Sequence, residues 1–406
     1  MIWNEILKGE SHQLEFKKEL SGDMKKILKT VCAFANGDGG KIVFGIENNT
    51  LAVAGIESDK VFILMDSLAD MISNNCSPQI IPYITFETIN DKTVVIVEIR
   101  PGQNTPYYLK SAGSLEGTYI RVGATTRKAE SEKVQELILF GTHRSFDELI
   151  TKDAEPVQKK DITALCKMIS RYNGLDRPVT VDHLVSWKLL KREKNRYLPS
   201  VGFRLLTYND LHFARIQCAL FKGTDRTEFL DRKEFEGSLC DQIEEAYTFV
   251  LKHINKRSRI NGLYREDIYE LPLAAVREII VNAVMHRNYL MHSCIQVSVF
   301  SDRLEIVSPG GLYAGLTKEE MLSGSSSIRN QRLADIFMKM RIVEKWGTGV
   351  LRVFRLCSEA GLARPKYTTE GDFVRVEIFR PGAEDDSRGE APLPVRASAR
   401  LPETRS

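Results

Sequence analysis

The chain has 406 residues, of which 43% are hydrophobic and 27% are charged, and its formal net charge is +3. This length predicts two or three soluble domains, and the near-balanced charge does not by itself indicate nucleic acid. No run approaches the length of a membrane span, the N-terminus lacks a signal-peptide pattern, and the seven scattered cysteines form no CxxC or CxxH pair. We therefore expect a cytoplasmic protein with no membrane contact, disulfide framework or zinc site.

Residues 1–135 are predicted to form an N-terminal α+β domain. An amphipathic helix, capped by Ser21 or Asp23, is expected to continue to Ala35, because its apolar residues recur every three to four positions. The glycine-rich turn that follows ends the helix, since glycine accepts a positive φ angle. Apolar runs then predict buried strands at residues 41–46 and 93–99.

Residues 136–265 are predicted to be an α/β region that connects the two ends of the chain and contributes to an oligomer contact. Its most basic run, residues 187–195, is expected to be helical and is either a small DNA-reading element or a solvated helix face. Apolar runs predict strands at 201–206 and 214–221, and helical periodicity predicts a long helix at 241–254.

Residues 266–380 are predicted to form a C-terminal α/β domain. A predicted helix in this domain carries Glu278 and Asn282 four residues apart, so their side chains project together, and His286 follows one turn later. Residues 381–406 have almost no large apolar side chains and are expected to be a disordered tail, because they cannot bury enough surface to offset the entropy of ordering.

Glycine-rich segments follow this helix. Two predicted strands lead into Ser308-Pro-Gly-Gly311, and Gly347-Thr-Gly349 opens a final helix. Glycines at a helix start let backbone N–H groups approach phosphate, and the helix dipole favours the anion. A nearby carboxamide can supply an oxygen to magnesium. Each piece alone is more simply an exposed polar pair or a turn, but the three in this order predict a nucleotide pocket.

The pattern Glu278-x-x-x-Asn282-Ala283-x-x-His286 resembles the N-box of the GHKL ATPases, and the segments that end at Gly311 and Gly349 resemble their glycine boxes. The resemblance implies a GHKL-like α/β sandwich that binds ATP and Mg²⁺. It implies Asn282 as the magnesium ligand and Glu278 as the catalytic residue that orients or activates water. Ser308 stands where these ATPases usually have an aspartate that contacts adenine, which implies a weaker contact to the base. The residues implied in cofactor binding are Asn282, His286, Ser308, Gly310, Gly311, Arg329, Gly347, Thr348 and Gly349.

The N-terminal domain resembles the Schlafen/AlbA type over residues 9–130, through strings such as Glu10-Ser11, Glu15-Phe-Lys17 and Tyr119–Arg127. In eukaryotic Schlafen nucleases three acidic residues form a metal-dependent ribonuclease centre. In this chain the resemblance implies catalytic and metal-binding roles for Glu10, Glu15 and Glu47. In many bacterial relatives the domain is assigned DNA binding without cleavage, and binding is the preferred hypothesis. The implied nucleic-acid contacts are Lys17, Arg121, Thr125 and Arg127.

The string from Arg277 to Tyr289 is most similar to a bacterial group that pairs these two domain types and that includes transcriptional regulators and helicase-related proteins. The resemblance implies an α/β multidomain regulator in which the nucleotide state of the C-terminal module controls an N-terminal DNA-binding domain. We expect DNA rather than RNA as the partner, and a homodimer or higher homo-oligomer as the assembly. The alternatives are a nucleotide-gated, metal-dependent nuclease with a role in defence, and a non-catalytic scaffold.

Overall fold

The computed structural model describes residues 2–20, 24–48, 50–173, 178–261, 264–343 and 348–382. Helices and strands alternate along these ranges, so the protein belongs to the predicted mixed α/β class. Within them, no helix combines the length and apolar character that a membrane crossing requires. The predicted caps Ser21 and Asp23, the predicted phosphate-binding Gly347 and the tail from residue 383 onward lie outside the described residues.

The N-terminal part of the chain is built from short strands and five helices in its described residues. Its elements are α1 Trp3–Ile6, β1 Leu14–Lys17, α2 Met24–Ala35, β2 Gly40–Phe44, α3 Val61–Asn75, β3 Cys76–Ser77, β4 Tyr83–Ile89, β5 Lys92–Ile99, β6 Tyr108–Leu109, α4 Gly113–Glu116, β7 Tyr119–Val122, β8 Thr125–Lys128 and α5 Ser131–Gly141. The predicted first long helix and the two predicted strands are therefore present as α2, β2 and β5.

The main N-terminal sheet has the strand order β1-β2-β5-β4, in which β1 and β2 are parallel and the other pairs antiparallel. Helix α2 buries Val31 and Phe34 against this sheet, where they join Ile42, Val95 and Val97 in a core with no exposed surface. Strands β7 and β8 form a hairpin that packs on α2. This core holds the hairpin in a fixed position beside the first strand.

The rest of the chain begins with a short 3-10 helix at Phe146–Glu148. The elements that follow are α6 Lys159–Asn173, α7 Val181–Ser186, β9 Leu190–Glu193, β10 Arg196–Pro199, α8 Val201–Leu206, β11 Ile216–Phe221, β12 Phe229–Phe235, α9 Leu239–His253, β13 Lys256–Asn261, β14 Tyr264–Tyr269, α10 Leu273–His286, β15 Ile295–Val299, β16 Arg303–Pro309, α11 Lys318–Leu322, α12 Gln331–Lys339, α13 Gly349–Glu359, β17 Lys366–Glu370 and β18 Phe373–Phe379.

One six-stranded sheet, in the order β12-β11-β15-β16-β18-β17, joins the connecting region to the C-terminal region. Strand β11 pairs in parallel with β15, so the sheet extends across the predicted boundary at residue 265. Helices α9 and α10 pack on this sheet, and a single hydrophobic cluster includes buried residues from Ile162 to Ile378. The connecting region and the C-terminal region therefore share one core.

Two local predictions in the connecting region are wrong. Residues 201–206 form helix α8 instead of a strand, because the Ser200 side chain caps the helix and accepts a 3.2 Å hydrogen bond from the Phe203 N–H. The basic run at residues 187–195, for which the sequence predicts a helix, forms much of the hairpin β9–β10. Lys194, at its turn, has a φ of 52°, a left-handed conformation that reverses the chain instead of continuing a helix.

Candidate nucleotide-binding site

A cavity of about 170 Å³ lies between α10 and the neighbouring strands β16, β18 and β17. For comparison, an engineered apolar cavity of about 150 Å³ in another protein holds benzene, so the volume of this cavity is sufficient for one aromatic ring. The strand residues that line it alternate along their strands and lie in register across the sheet, so they share the face toward α10. They are Ile306, Ser308, Val374, Val376 and Tyr367.

The predicted polar pair of α10 lies at this cavity. The Glu278 side chain is buried, and its Oε1 accepts a 3.2 Å hydrogen bond from Asn282 Nδ2. Gly349, the first residue of α13, lies against both side chains, because a Cβ built there would be 2.3 Å from Glu278 Oε1. Glycine therefore allows the N-terminus of α13 to approach the pair, and the dipole of that helix favours a negative charge at this place.

Ser308 and Gly310 occupy the strand end opposite α10. Ser308 Oγ donates a 2.8 Å hydrogen bond to the Ala283 carbonyl of α10, so its oxygen stays available only as an acceptor. Gly310 has a φ of +109°, and a Cβ there would lie 2.3 Å from Arg329 Nη1. The strand therefore turns at a position where the left-handed backbone and the close guanidinium both require glycine. Gly311 follows and also lines the cavity.

We call residues 310–317, which connect β16 to α11, the cavity loop. Arg329 anchors this loop and does not itself line the cavity. Its guanidinium donates to the carbonyls of His286 and Gly311, both at 3.1 Å, and to Glu136 Oε1 at 3.3 Å. The same group lies over the Tyr313 ring. Since protein acceptors occupy both terminal nitrogens, the structure places Arg329 as a loop anchor. Thr348 does not line the cavity either.

His286 lines the cavity near Arg329, and burial lowers its pKa from the ordinary 6.5 to about 4, with Arg329 acting in the same direction. Asp147, in the short 3-10 helix, is fully buried against the start of α12. Its Oδ2 accepts a 2.7 Å hydrogen bond from the Leu333 N–H of α12. Burial raises the pKa of Asp147 from 3.8 to about 6. His286 and Asp147 therefore contribute with opposite signs to the pH dependence of stability.

These opposite shifts predict how the stability of two variants depends on pH. Between pH 4 and 6.5 the unfolded chain binds more protons at His286, so this residue makes stability rise with pH. Between pH 3.8 and 6 the folded chain binds more protons at Asp147, so stability falls with pH. Each residue changes the free energy of unfolding by about 3 kcal/mol across its pH range, and the two changes nearly cancel in the wild-type protein. In His286→Gln only the Asp147 contribution remains, so the free energy of unfolding should fall as pH rises. In Asp147→Asn only the His286 contribution remains, so the free energy of unfolding should increase as pH rises.

Urea unfolding at several pH values between 4 and 7 measures both slopes. The wild-type protein serves as the control, because the two contributions offset each other there. The same pH dependence in both variants would contradict the assignment.

Tyr367 was not predicted as a site residue, yet its hydroxyl lies buried at the cavity with no hydrogen-bond partner among the described residues. Burial raises the pKa of this hydroxyl, so it stays protonated and can donate. An unpaired buried hydroxyl costs about 1–3 kcal/mol, which a ligand acceptor would recover. The residues at the cavity thus fit a polar ligand with an aromatic part.

Tyr367→Phe is expected to stabilise the ligand-free protein by about 1 kcal/mol and to weaken ATP binding about tenfold, because the hydroxyl has a partner only in the complex. Urea unfolding and calorimetric titration measure the two effects. Tyr289→Phe is the matched control, since the Tyr289 hydroxyl already donates to the Val284 carbonyl at 3.0 Å. That variant should lose stability. A loss of stability in Tyr367→Phe would show that the hydroxyl has a partner within the protein.

Two further buried polar residues hold the end of α10, and no sequence motif predicts either of them. Asn330 Nδ2 donates to the carbonyls of Met285 and Arg287 at 2.9 and 2.7 Å. The Arg287 guanidinium donates to the carbonyls of Phe213, Met291 and Ser293. The available signal was the adjacency of each residue to a predicted site residue, His286 or Arg329.

Glu10, Glu15 and Glu47 do not form a metal-binding group among the described residues. Glu15 is buried and forms 2.7 Å ion pairs with Lys17 and Arg121, while Glu10 Oε1 accepts from the Phe16 N–H. Glu47 lies at the surface, pairs with Lys18 and has its pKa lowered by hydrogen bonds from Thr50 and Lys18. Among the described residues no group of three or more His, Cys, Asp or Glu side chains could hold a metal ion. The catalytic and metal-binding roles that the resemblance implies for Glu10, Glu15 and Glu47 therefore gain no support from a shared metal-binding group in the described residues, and they stay a prediction.

The predicted nucleic-acid contacts divide into buried and exposed residues. The Arg121 guanidinium is nearly buried, donating to Glu15, the Ser11 carbonyl and Thr126, and it joins β7 to the first strand. Lys17 is also largely buried beside Glu15. Thr125 and Arg127 are exposed on the β7–β8 hairpin, and the described residues place no acidic partner beside Arg127. Thr125 and Arg127 are thus the predicted residues that nucleic acid can reach.

Fold and cavity together define a multidomain α/β protein whose C-terminal region holds a carboxylate, a carboxamide and a helix N-terminus around an apolar cavity. The family model described as "Schlafen, AlbA_2" matches residues 10–130. The model described as "Putative ATP-dependent DNA helicase recG C-terminal" matches residues 292–378. The chain therefore pairs a domain of the Schlafen AlbA_2 family with a domain of the RecG-type C-terminal ATPase family, the pairing predicted from sequence. The second match begins after α10, so geometry alone joins Glu278 and Asn282 to that domain.

Three of the proteins to which the chain is similar show how far the similarity extends. An uncharacterized ATP-binding protein of Ureaplasma parvum is 36% identical over 73 residues, and the match spans 18% of this chain and only 21% of that protein. A protein from Corynebacterium diphtheriae with a crystal structure is 22% identical, with a TM-score of 0.48, over 91% of this chain and 75% of its own. The N-terminal domain of a "Putative ATP-dependent DNA Helicase RecG-related Protein" from Nitrosomonas europaea, solved by NMR, is 25% identical over 32% of this chain and 90% of its own, with a TM-score of 0.25.

Proposed function

We propose that the C-terminal cavity binds ATP with Mg²⁺ and that the bound nucleotide controls how the N-terminal domain binds DNA. Asn282 would hold the magnesium ion, and Glu278 would orient water at the terminal phosphate. The apolar wall, including Ile306 and Val376, would receive the base, with Ser308 as a hydrogen-bond acceptor. Magnesium would supply charge compensation for the phosphates. ATP binding is supported by the family of the domain and by the name of the Ureaplasma relative.

The proposed control of DNA binding by the nucleotide is supported by contacts between the cavity loop and helix α5 of the N-terminal part of the chain. Arg329 bonds the Gly311 carbonyl of the loop and Glu136 of α5. The Tyr313 ring of the loop packs edge-on against Phe140 of α5, with ring centroids 6.2 Å apart. A rearrangement of the loop on nucleotide binding would therefore change contacts with α5, which directly follows the β7–β8 hairpin.

The loop also touches the turn after α2. Asp38 Oδ1 lies so close to Gly315 that a Cβ there would come within 2.9 Å. The carbonyl of Asp38 accepts a hydrogen bond from Gln13, beside the first N-terminal strand. The cavity loop thus contacts the N-terminal domain at a second place. This contact supports a coupling by which nucleotide binding affects DNA binding and DNA binding affects nucleotide binding.

Calorimetry and DNA binding test this function together. Wild-type protein should bind Mg-ATP, Asn282→Ala should not, and DNA affinity should differ between ATP-bound and nucleotide-free protein. Glu136→Gln should keep the affinity for ATP and lose the nucleotide dependence of DNA binding. If wild-type protein shows no heat of ATP binding, the scaffold alternative holds. If Glu15→Ala removes a divalent-dependent cleavage of RNA or DNA, the nuclease alternative holds.

A further inference from the structure

The hairpin β9–β10 and its flanking residue Lys188 carry a concentrated positive charge, and we call residues 188–196 the basic hairpin. Five cations and one carboxylate, Glu193, give this segment a charge of +4, which exceeds the +3 of the whole chain. The rest of the chain therefore carries a net charge of −1. All five cations are exposed: Lys188, Lys191, Arg192, Lys194 and Arg196.

The basic hairpin is a rigid element. Leu190 pairs with Pro199 at its base, and Leu189 and Leu190 are buried in the shared core. Near the tip, the Arg192 guanidinium donates to Tyr197 Oη at 3.1 Å and lies over the Tyr197 ring. The cations are therefore held on an ordered ribbon, and a ligand that binds them would not need to order a loop.

Two cations at the tip of the basic hairpin form no ion pair. Lys188, Lys191 and Arg192 form ion pairs with Glu148, Glu193 and Asp182, respectively. Lys194 and Arg196 have no ion-pair partner among the described residues, and the nearby Glu193 carboxylate, which is already paired with Lys191, compensates their charges only in part. The exposed end of the ribbon therefore keeps a positive charge that an external anion can reach.

The base of the basic hairpin is connected to the nucleotide cavity through α12. Lys339 of α12 lies over the ring of Trp187, which directly precedes the hairpin, at 4.7 Å from the ring centroid. On the same helix, Ala334 and Met338 line the cavity. Glu148 pairs with both Lys188 and Arg332 of α12. The hairpin and the cavity therefore share one supporting helix.

We propose that the basic hairpin is a nucleic-acid-binding surface that contacts the phosphate backbone of a duplex. A two-stranded ribbon fits the major groove of B-DNA, and lysine and arginine side chains neutralise phosphates. The turn residues Lys194 and Asn195 add no apolar side chain, which a membrane-inserting surface would need. The inference extends the proposed function, because it gives the nucleic acid a contact outside the N-terminal domain.

Fluorescence anisotropy of the full chain with a labelled DNA duplex, over a series of salt concentrations, tests the proposal. The double variant Lys194→Gln/Arg196→Gln should bind about tenfold more weakly at physiological salt, and the slope of log K against log[salt] should be shallower by about two. The matched control is Arg232→Gln/Lys233→Gln, which removes the same two charges from exposed residues of β12. Both double variants should retain the wild-type melting temperature, and the control should retain the wild-type slope.

Each other outcome has a distinct meaning. Equal weakening in both double variants would show a general charge effect and overturn the proposal. If Arg127→Gln weakens binding while the hairpin variant does not, the hairpin inference is wrong and the proposed function stands. If wild-type protein does not bind the duplex, both are wrong. Binding to phosphatidylserine vesicles but not to DNA would instead make the basic hairpin a membrane contact.

Discussion

Replacing Gly349 by alanine is expected to weaken ATP binding by about tenfold to a hundredfold. The new Cβ would lie 2.3 Å from Glu278 Oε1 and 3.1 Å from Asn282 Nδ2, so the pair or the start of α13 must move. Such overpacking costs about 1–3 kcal/mol, and the movement separates the three groups that would meet the phosphates and magnesium. The backbone is helical at this residue, so alanine itself suits the local conformation.

Calorimetric titration with Mg-ATP measures this effect, and Gly37→Ala is the matched control. A Cβ at Gly37 would meet only the Ala33 carbonyl at 3.4 Å, an ordinary contact, and Gly37 does not line the cavity. That variant should bind ATP as the wild-type protein does. Wild-type affinity in Gly349→Ala would mean that the nucleotide does not use the Glu278–Asn282 pair.

Replacing Arg329 by methionine is expected to lower the free energy of unfolding by about 3 kcal/mol, because it removes one partner of a largely buried ion pair. Burial raises the pKa of Glu136, while Lys133 and Arg329 outweigh this and lower it below its ordinary value. Without Arg329 the carboxylate loses part of that compensation. The carbonyls of His286 and Gly311 also lose their donor.

Urea unfolding measures the loss of stability, and Lys133→Met is the control within the same cluster. The Lys133 side chain is 40% exposed, so its ion pair with Glu136 is screened by water and its removal should have a much smaller effect. DNA binding with and without ATP provides the second measurement. Arg329→Met should lose the nucleotide dependence, whereas Lys133→Met should retain it. An effect of equal size in both variants would contradict the role of Arg329 as the loop anchor.

The two variants test different steps of one mechanism. Gly349 lies where the phosphates would bind, so its replacement should reduce binding itself. Arg329 lies between the cavity loop and α5, so its replacement should separate binding from its effect on the N-terminal domain. A protein that binds ATP but no longer responds to it would therefore identify the loop as the coupling element.

Local sequence signals are enough to predict several helices and strands of this protein. Glu278 and Asn282 share a helix face because four residues make about one helical turn, and the glycines follow them in chain order. The buried strands of the N-terminal sheet were also recognisable, since each is a short apolar run between turns. The same local signals failed at residues 187–195 and 201–206, where a turn conformation and a serine cap override the apolar and charge pattern.

Contacts between residues that are distant in the chain follow from the packing of the whole fold and not from local signals. The sequence predicts Arg329 as a cofactor contact, but α5 supplies Glu136, 193 residues away, and makes Arg329 an anchor. The sequence predicts that Arg121 contacts phosphate, but Glu15, 106 residues away, holds it in a buried ion pair. Tyr367 carries no motif and becomes a site residue only because β17 pairs with β18 beside α10. A side chain's neighbours across a sheet depend on the packing of the whole core, which local sequence periodicity does not encode.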